Sequence, residues 1–431
     1  MSVQSLYAER RRDPHDAVGV VQDGDAIVAP IGVGEPPALL RALSARRREF
    51  RGVSVFQLLP LAKVDYFDPE TTEHVRHTSA FLGGASRAGA SEGWIDYHPA
   101  HFSEIPGLLR RGYLPCDVVF ARASAMDDHG FFALGLSADY TMAAIEKARA
   151  VVLEVNPQVP FTFGDCHVHV SQVAGLTESN DPLVELPPPP IGEVELAIGG
   201  YVAEMIPDGA TLQIGIGGIP DAVVQQLSDR NDLGVHTEMF GDGILRLLEA
   251  GNITNQRKNL HHGKMLATFA LGSHRLYEYM HRNPALEMYP VDVTNDPVLA
   301  GQNDNLHSIN GTLQVDLIGQ CGSESLGFRP YSGTGGQVDF VRAANRSHGG
   351  KAFIVVPSTA RNGTVSRIVP TLAPGTHVTT GKNDVNYVVT EYGVAQLRGR
   401  SARERARQLI DIAHPDFRAQ LSDEAQRMHL V

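Results

Sequence analysis

The segment Val235-His236-Thr237-Glu238-Met239-Phe240 ends an apolar run on one carboxylate, Glu238, a short way past the glycine turn Gly215-Ile216-Gly217-Gly218-Ile219-Pro220. A carboxylate beside a backbone-rich loop has two chemical uses. It can attack an electrophilic carbonyl while loop amides hold the developing oxyanion. Alternatively, it can accept hydrogen bonds from a ribose while the loop cradles a pyrophosphate. Spacing admits the second use, because Glu238 falls 21 residues after Gly217. The glycine pattern speaks against it: Pro220 stands where a dinucleotide fingerprint needs its third glycine, and Pro36 does the same after Gly32-Val33-Gly34. A third cluster, Ser332-Gly333-Thr334-Gly335-Gly336, reads either as a surface turn or as backbone that a ligand can approach closely.

The elements around these residues occur twice. Asp23-Gly24 aligns with Asp208-Gly209, and past a gap in the glycine loop Pro36 faces Pro220 and Leu43-Ser44 faces Leu227-Ser228. Each copy runs turn, apolar strand, glycine loop, amphipathic helix and second strand, the last being Val53 to Phe56 in one copy and Gly234 to Glu238 in the other. Aligning Gly52 with Gly234 sets Phe56 opposite Glu238, so the scaffold is shared and the carboxylate is not. Between the copies, four consecutive prolines from Pro187 form a stiff segment that no helix or central strand accommodates. The fold expected is α/β: two tandem homologous open α/β domains with mainly parallel sheets, the active site in the crevice between them. Residues 1–186 form the N-terminal domain, 187–194 a proline-rich linker, and 195–431 the C-terminal domain carrying Glu238.

Bulk properties exclude several classes. A length of 431 residues exceeds one ordinary core. A net charge of −12 argues against non-specific binding of nucleic acid or anionic membranes. The longest apolar runs, such as Ala352 to Val356, are far too short for a membrane span, and the charged N-terminus has no signal-like core. Three scattered cysteines, Cys116, Cys166 and Cys321, form no disulfide framework and fit a reducing cytoplasm. Cys166-His167-Val168-His169 has the look of a metal site, but strand alternation puts its histidines on the opposite face from Cys166, with no second ligand cluster evident. His98 and His101 are first-domain candidates for lining an acid pocket.

HTEMFGDG around Glu238, GIGGIPDAV, VDLIGQCGSES, SGTGGQVDF and VTEYGVAQLRG from Val389 together resemble the family I CoA-transferases, in the branch of 4-hydroxybutyrate CoA-transferases and acetyl-CoA hydrolase/transferases. The resemblance covers nearly the whole chain in unbroken motif order. It implies a ping-pong exchange of CoA between an acyl-CoA, such as acetyl-CoA or succinyl-CoA, and a small acid of the 4-hydroxybutyrate, butyrate or itaconate class. Glu238 would be the nucleophile that becomes a glutamyl-CoA thioester. Gly215, Ile216, Gly217, Gly218 and Ile219 would supply oxyanion and CoA contacts, Gly335 and Gly336 would face the CoA arm, and Asn295 would sit near the thioester. No metal and no permanently bound cofactor is implied, CoA being a substrate, and a homodimer or larger homo-oligomer is. An acyl-CoA hydrolase on the same site, or a non-catalytic CoA- or nucleotide-binding protein, are the alternatives. The chain departs from the pattern at Cys321-Gly322, at Ala125 to Gly130, and in Glu35-Pro36-Pro37, the last similar to the branch assigned to itaconate.

Overall fold

The computed structural model describes residues 2–187 and 190–431, so Pro188 and Pro189, the middle of the expected linker, lie outside the described residues. Two compact units emerge: Met1–Leu186 with Leu266–Thr294, and Pro187–Met265 with Asn295–Val431. The clustering divides the expected 195–431 domain. Residues 266–294 cluster with the first unit, where Leu286–Met288 pairs in parallel with Phe163–Gly164. Such a non-local strand pairing leaves no mark in linear order.

The first unit is built on a parallel sheet of seven strands: β1 (Ala26–Val28), β2 (Val53–Leu58), β3 (Val75–Phe81), β4 (Asp96–Tyr97), β5 (Val118–Ala123), β6 (Ala150–Val155) and β7 (Gly175–Glu178), in the order β7-β6-β5-β1-β2-β3-β4. Strand β5, Val-Val-Phe-Ala-Arg-Ala, is buried along its whole length, its apolar run interrupted only by Arg122. Helix α1 (Pro37–Arg46) packs Leu39, Leu40 and Leu43 against Ile27, Val53, Val55 and Phe120. Each such side chain, fully buried, contributes about 1.5–3 kcal/mol.

The second unit repeats the central part of this plan. After helix α2 (Glu193–Glu204) come β8 (Thr211–Ile214), helix α3 (Gly218–Gln225), β9 (Gly234–Val235), β10 (Leu306–Gly311), helix α4 (Gln337–Arg346), β11 (Lys351–Val355), β12 (Tyr387–Thr390) and β13 (Gly393–Gln396). The sheet order is β9-β8-β10-β11-β12-β13, parallel except for the last pair. Matching β1 to β8 makes β7-β6-β5-β1-β2 and β12-β11-β10-β8-β9 the same arrangement. The entry turn is also the same. Gly24 and Gly209 both take positive φ (81° and 75°). Asp23 Oδ1 accepts from Arg51 N at 2.8 Å, as Asp208 Oδ1 does from Asn231 N at 2.7 Å.

Register corrects one sequence pairing. Ala26 sits opposite Ser54, and Thr211 opposite Gly234. With β1 matched to β8, Ser54 corresponds to Gly234, so the counterpart of Glu238 is Leu58 and not Phe56. The first copy carries two more residues before this point than the glycine alignment allowed, and the shift of two keeps the same face.

Candidate active site

Regular strand β9 ends at Val235, earlier than expected, and Glu238 lies in a bend beyond it. The chain nonetheless stays fastened to β8. His236 N donates to Leu212 O at 3.1 Å, and the buried Thr237 hydroxyl both accepts from Ile214 N (3.2 Å) and lies within donor range of Ile214 O (3.3 Å). Ile214 immediately precedes Gly215, so one hydroxyl ties the segment bearing Glu238 to the start of the glycine loop.

The Glu238 carboxylate meets two of the residues singled out from sequence. Asn295 Nδ2, fully buried, donates to Oε2 at 2.6 Å. Gly336, which caps the N-terminus of α4, turns its N–H toward the same carboxylate, where the helix dipole also favours negative charge. Gly336 leaves no room for a side chain: a Cβ there would lie 1.7 Å from Glu238 Oε2 and 2.3 Å from Asn295 Nδ2. Its own φ of −96° is open to any residue, so contact with the carboxylate and not backbone strain requires glycine here. Gly335 takes the left-handed turn (φ 55°) that delivers Gly336. Both are buried, which removes the surface-turn reading of this cluster.

Burial pushes the Glu238 carboxyl up to about 7 from its usual 4.5, against the Asn295 hydrogen bond. Asp339 in the first turn of α4 raises it further, and the Gly336 N–H opposes the rise. Asp339 is the neighbour that sequence reading missed; its place directly after the glycine pair, in Gly335-Gly336-Gln337-Val338-Asp339, was the available signal.

The two glycine loops differ in what their amides already hold. In the first unit Ile31 N donates to Asp139 Oδ2 (2.8 Å), and Ala38 and Leu39 N, at the start of α1, donate to Glu154 Oε2 (2.7 and 3.4 Å). Buried carboxylates thus hold the amides on either side of Gly32-Val33-Gly34. In the second unit Gly215 N is engaged in the sheet with Ile309 O at 3.0 Å, so Gly215 brings no free donor. Beyond it, no acceptor among the described residues sits on the N–H of Ile216, Gly217, Gly218 or Ile219. The first helical bond of α3 comes only from Asp221 N to Gly217 O. Gly217 turns this loop with φ 127°. The structure therefore brings Glu238, Asn295 and Gly336 into contact and fastens Gly215–Ile219 to them through Thr237, without a direct bond from the loop to the carboxylate.

Other residues noted in the sequence take structural places. Cys166 and Val168 are buried, while His167 bonds Thr162 O (2.9 Å) and His169 bonds Ser171 Oγ (2.7 Å). Among the described residues no group of three or more His, Cys, Asp or Glu side chains is placed to hold a metal ion. Cys321 is buried, which pushes its thiol up and away from nucleophilic use. His98 packs edge-on against Phe56, and burial holds its pKa below the usual value. No helix among the described residues is long and apolar enough to cross a membrane.

Comparison with known proteins bears on what this arrangement does. The acetyl-CoA hydrolase/transferase N-terminal domain matches residues 1–187, and the C-terminal domain of the same family matches 272–425. Succinyl-CoA:cyclohexane-1-carboxylate CoA transferase of Geobacter metallireducens is 53% identical over 430 residues, covering 100% of this chain and 98% of that protein. The 4-hydroxybutyrate coenzyme A transferase of Clostridium kluyveri is 45% identical, covering 99% of this chain and 100% of that protein. Among solved structures, RipA from Yersinia pestis superposes with a TM-score of 0.95 at 39% identity over the whole of both chains. Identity at this level along both sequences shows that the chain belongs to the acetyl-CoA hydrolase/transferase family and is an acyl-CoA:carboxylate CoA-transferase.

Proposed function

We propose that the chain transfers CoA by a ping-pong reaction through a glutamyl-CoA thioester on Glu238. One observation carries this reading: the Glu238 carboxylate is desolvated yet held by Asn295 Nδ2 and the N-terminus of α4, ready to attack and flanked by donors. Glu238 adds to the acyl-CoA carbonyl carbon, the C–S bond breaks, and CoA thiolate leaves a mixed acyl-glutamyl anhydride. The thiolate then adds to the glutamyl carbonyl, the anhydride C–O bond breaks, and the first acid departs with an oxygen that was Glu238's. The incoming acid runs the same steps in reverse and restores the carboxylate. Every intermediate is an anhydride or thioester near the reactants in energy, so no ATP is needed. The Asn295 amide and the Gly336 N–H are suited to oxyanions developing at the glutamyl carbon, and the amides of Ile216 to Ile219 to the acyl oxyanion or the CoA arm.

The donor is succinyl-CoA or acetyl-CoA and the acceptor a small carboxylic acid. The acceptor classes implied by the family resemblance are 4-hydroxybutyrate, butyrate and itaconate; the relative named for cyclohexane-1-carboxylate adds an alicyclic acid. The test is CoA exchange from succinyl-CoA and acetyl-CoA to each of these four acids, with an acid-free control. Acid-dependent formation of the new acyl-CoA supports the proposal. Thioester loss at the same rate without any acid favours the hydrolase alternative.

Two further outcomes are expected. Only the ionised carboxylate attacks, and burial holds its pKa near 7, so kcat/KM for the acyl-CoA should fall as pH drops through about 7 and level off above it. A profile flat down to pH 5 would contradict this. Asn295→Ala removes a donor that favours the charged form. It should lower kcat by about 10²-fold or more and move the acid limb upward; steady-state rates across pH read both effects.

A further inference from the structure

Glu324 carries no role in anything derived above, yet it is 6% exposed and holds the loop leading to the active site from both its main chain and its side chain. Its carbonyl oxygen accepts from Tyr331 N at 2.8 Å and Ser332 N at 3.1 Å. Its Oε2 accepts from Thr334 Oγ1 at 3.3 Å, and its Oε1 from Thr379 Oγ1 at 2.9 Å. The frame continues around it: Ser323 N donates to Thr379 Oγ1 (2.9 Å), Ser332 Oγ to Ser323 O (3.2 Å), and His377 N, on the neighbouring segment, to Ser325 Oγ (2.7 Å). The loop so held, residues 331–334, runs directly into Gly335 and Gly336. Keeping a carboxylate at this depth costs solvation free energy, and its result is a fixed path for the backbone that meets Glu238.

We propose that Glu324 is a positioning residue for CoA transfer, holding Thr334 so that the Gly336 N–H stays against the Glu238 carboxylate. The inference rests on Glu238 being the nucleophile. Gly336 has no side chain to lock it; Phe340 N holds its carbonyl oxygen at 3.0 Å on the α4 side, and the chain just before it holds the side that carries its N–H. If the clamp loosens, the Gly336 N–H recedes and the charged form of Glu238 loses a donor. Asn295 still favours that form, while Asp339, the charged neighbour from α4, opposes it. The acid limb of the reaction then moves to higher pH.

Thr334→Val removes the hydroxyl's bond to Glu324, Glu324→Ala removes the side-chain bonds from Thr334 and Thr379, and Thr334→Ser keeps the hydroxyl. The readouts are kcat and KM for the acyl-CoA across pH, thermal stability, and the Glu238 adduct captured by borohydride in the wild type. Expected are a fall in kcat of about tenfold or more in Thr334→Val and Glu324→Ala, a smaller change in KM, an acid limb shifted upward, and recovery of both in Thr334→Ser. A purely structural role would lower the melting temperature and leave the limb in place, and that result overturns the proposal. So does a Thr334→Val enzyme indistinguishable from wild type. Wild-type turnover with no Glu238 adduct overturns the nucleophile and this proposal together, whereas an adduct in the wild type with unmoved limbs in the variants overturns only the role of Glu324.

Discussion

Gly336→Ala is expected to abolish CoA transfer while leaving the chain folded. Alanine is compatible with the backbone at this position, whose φ is −96°. The obstruction is local: the new methyl would overlap Glu238 Oε2 at 1.7 Å and crowd Asn295 Nδ2 at 2.3 Å. The carboxylate must swing away, breaking the Asn295 bond and leaving the N-terminus of α4. A displacement of about 1 Å at a reacting group costs on the order of 10²-fold, and loss of a well-placed donor adds about as much again, so kcat should fall by about 10⁴-fold. Circular dichroism and the melting temperature should stay near wild type, because no core side chain is disturbed. Retained activity in a folded Gly336→Ala enzyme would mean that Glu238 does not react from the position seen here.

Glu238→Gln should remove activity and at the same time stabilise the protein above neutral pH. The amide cannot form an anhydride, so transfer should drop by about 10⁴-fold or more. Its effect on stability follows from linkage. The carboxyl titrates near 7 in the folded chain against a usual 4.5. The folded state therefore binds this proton more tightly than the unfolded one. The stability that goes with the bound proton is fully present below about pH 4.5 and is lost as pH rises to 7 and beyond. The loss is at most about 3 kcal/mol. Glutamine stays neutral throughout. The variant should thus match the wild type near pH 4.5 and melt several degrees higher at pH 8, where each kcal/mol is worth about 2–4 °C. Equal melting temperatures at both pH values would show that the carboxylate is not held desolvated.

Much of the scaffold was legible because it is written twice. Asp23-Gly24 and Asp208-Gly209 are chemically alike for a reason: an Asp side chain accepting a backbone N–H, followed by a left-handed glycine, makes the same turn into β1 and β8. The buried parallel strands announced themselves as apolar runs. The exact counterpart of Glu238 was not legible, since glycine alignment cannot see strand register, and Leu58 displaced Phe56. Nor could order along the chain show that residues 266–294 cluster with the first unit.

At the candidate site, residue types were readable and their meeting was not. Glu238, Asn295 and Gly336 stood out in separate motifs, but only the fold puts the Asn295 amide at 2.6 Å from the carboxylate and the glycine where a methyl would collide. The two glycine loops looked alike as strings. They differ in their surroundings: Asp139 and Glu154, both remote in sequence, take the amides of Ile31, Ala38 and Leu39 on either side of the first loop. Glu324 had no distinguishing spacing; its importance lies in hydrogen bonds to Thr334 and Thr379 that only the folded chain creates.

The most direct test is to incubate the protein with succinyl-CoA or acetyl-CoA, reduce with borohydride, and map the product by peptide mass spectrometry. Glu238 alone should be converted to its alcohol, only when acyl-CoA is present, and an acceptor acid added before the reductant should suppress the conversion. Unmodified Glu238 in an enzyme that turns the thioester over would contradict the glutamyl thioester and assign the attack on the acyl carbon to another nucleophile.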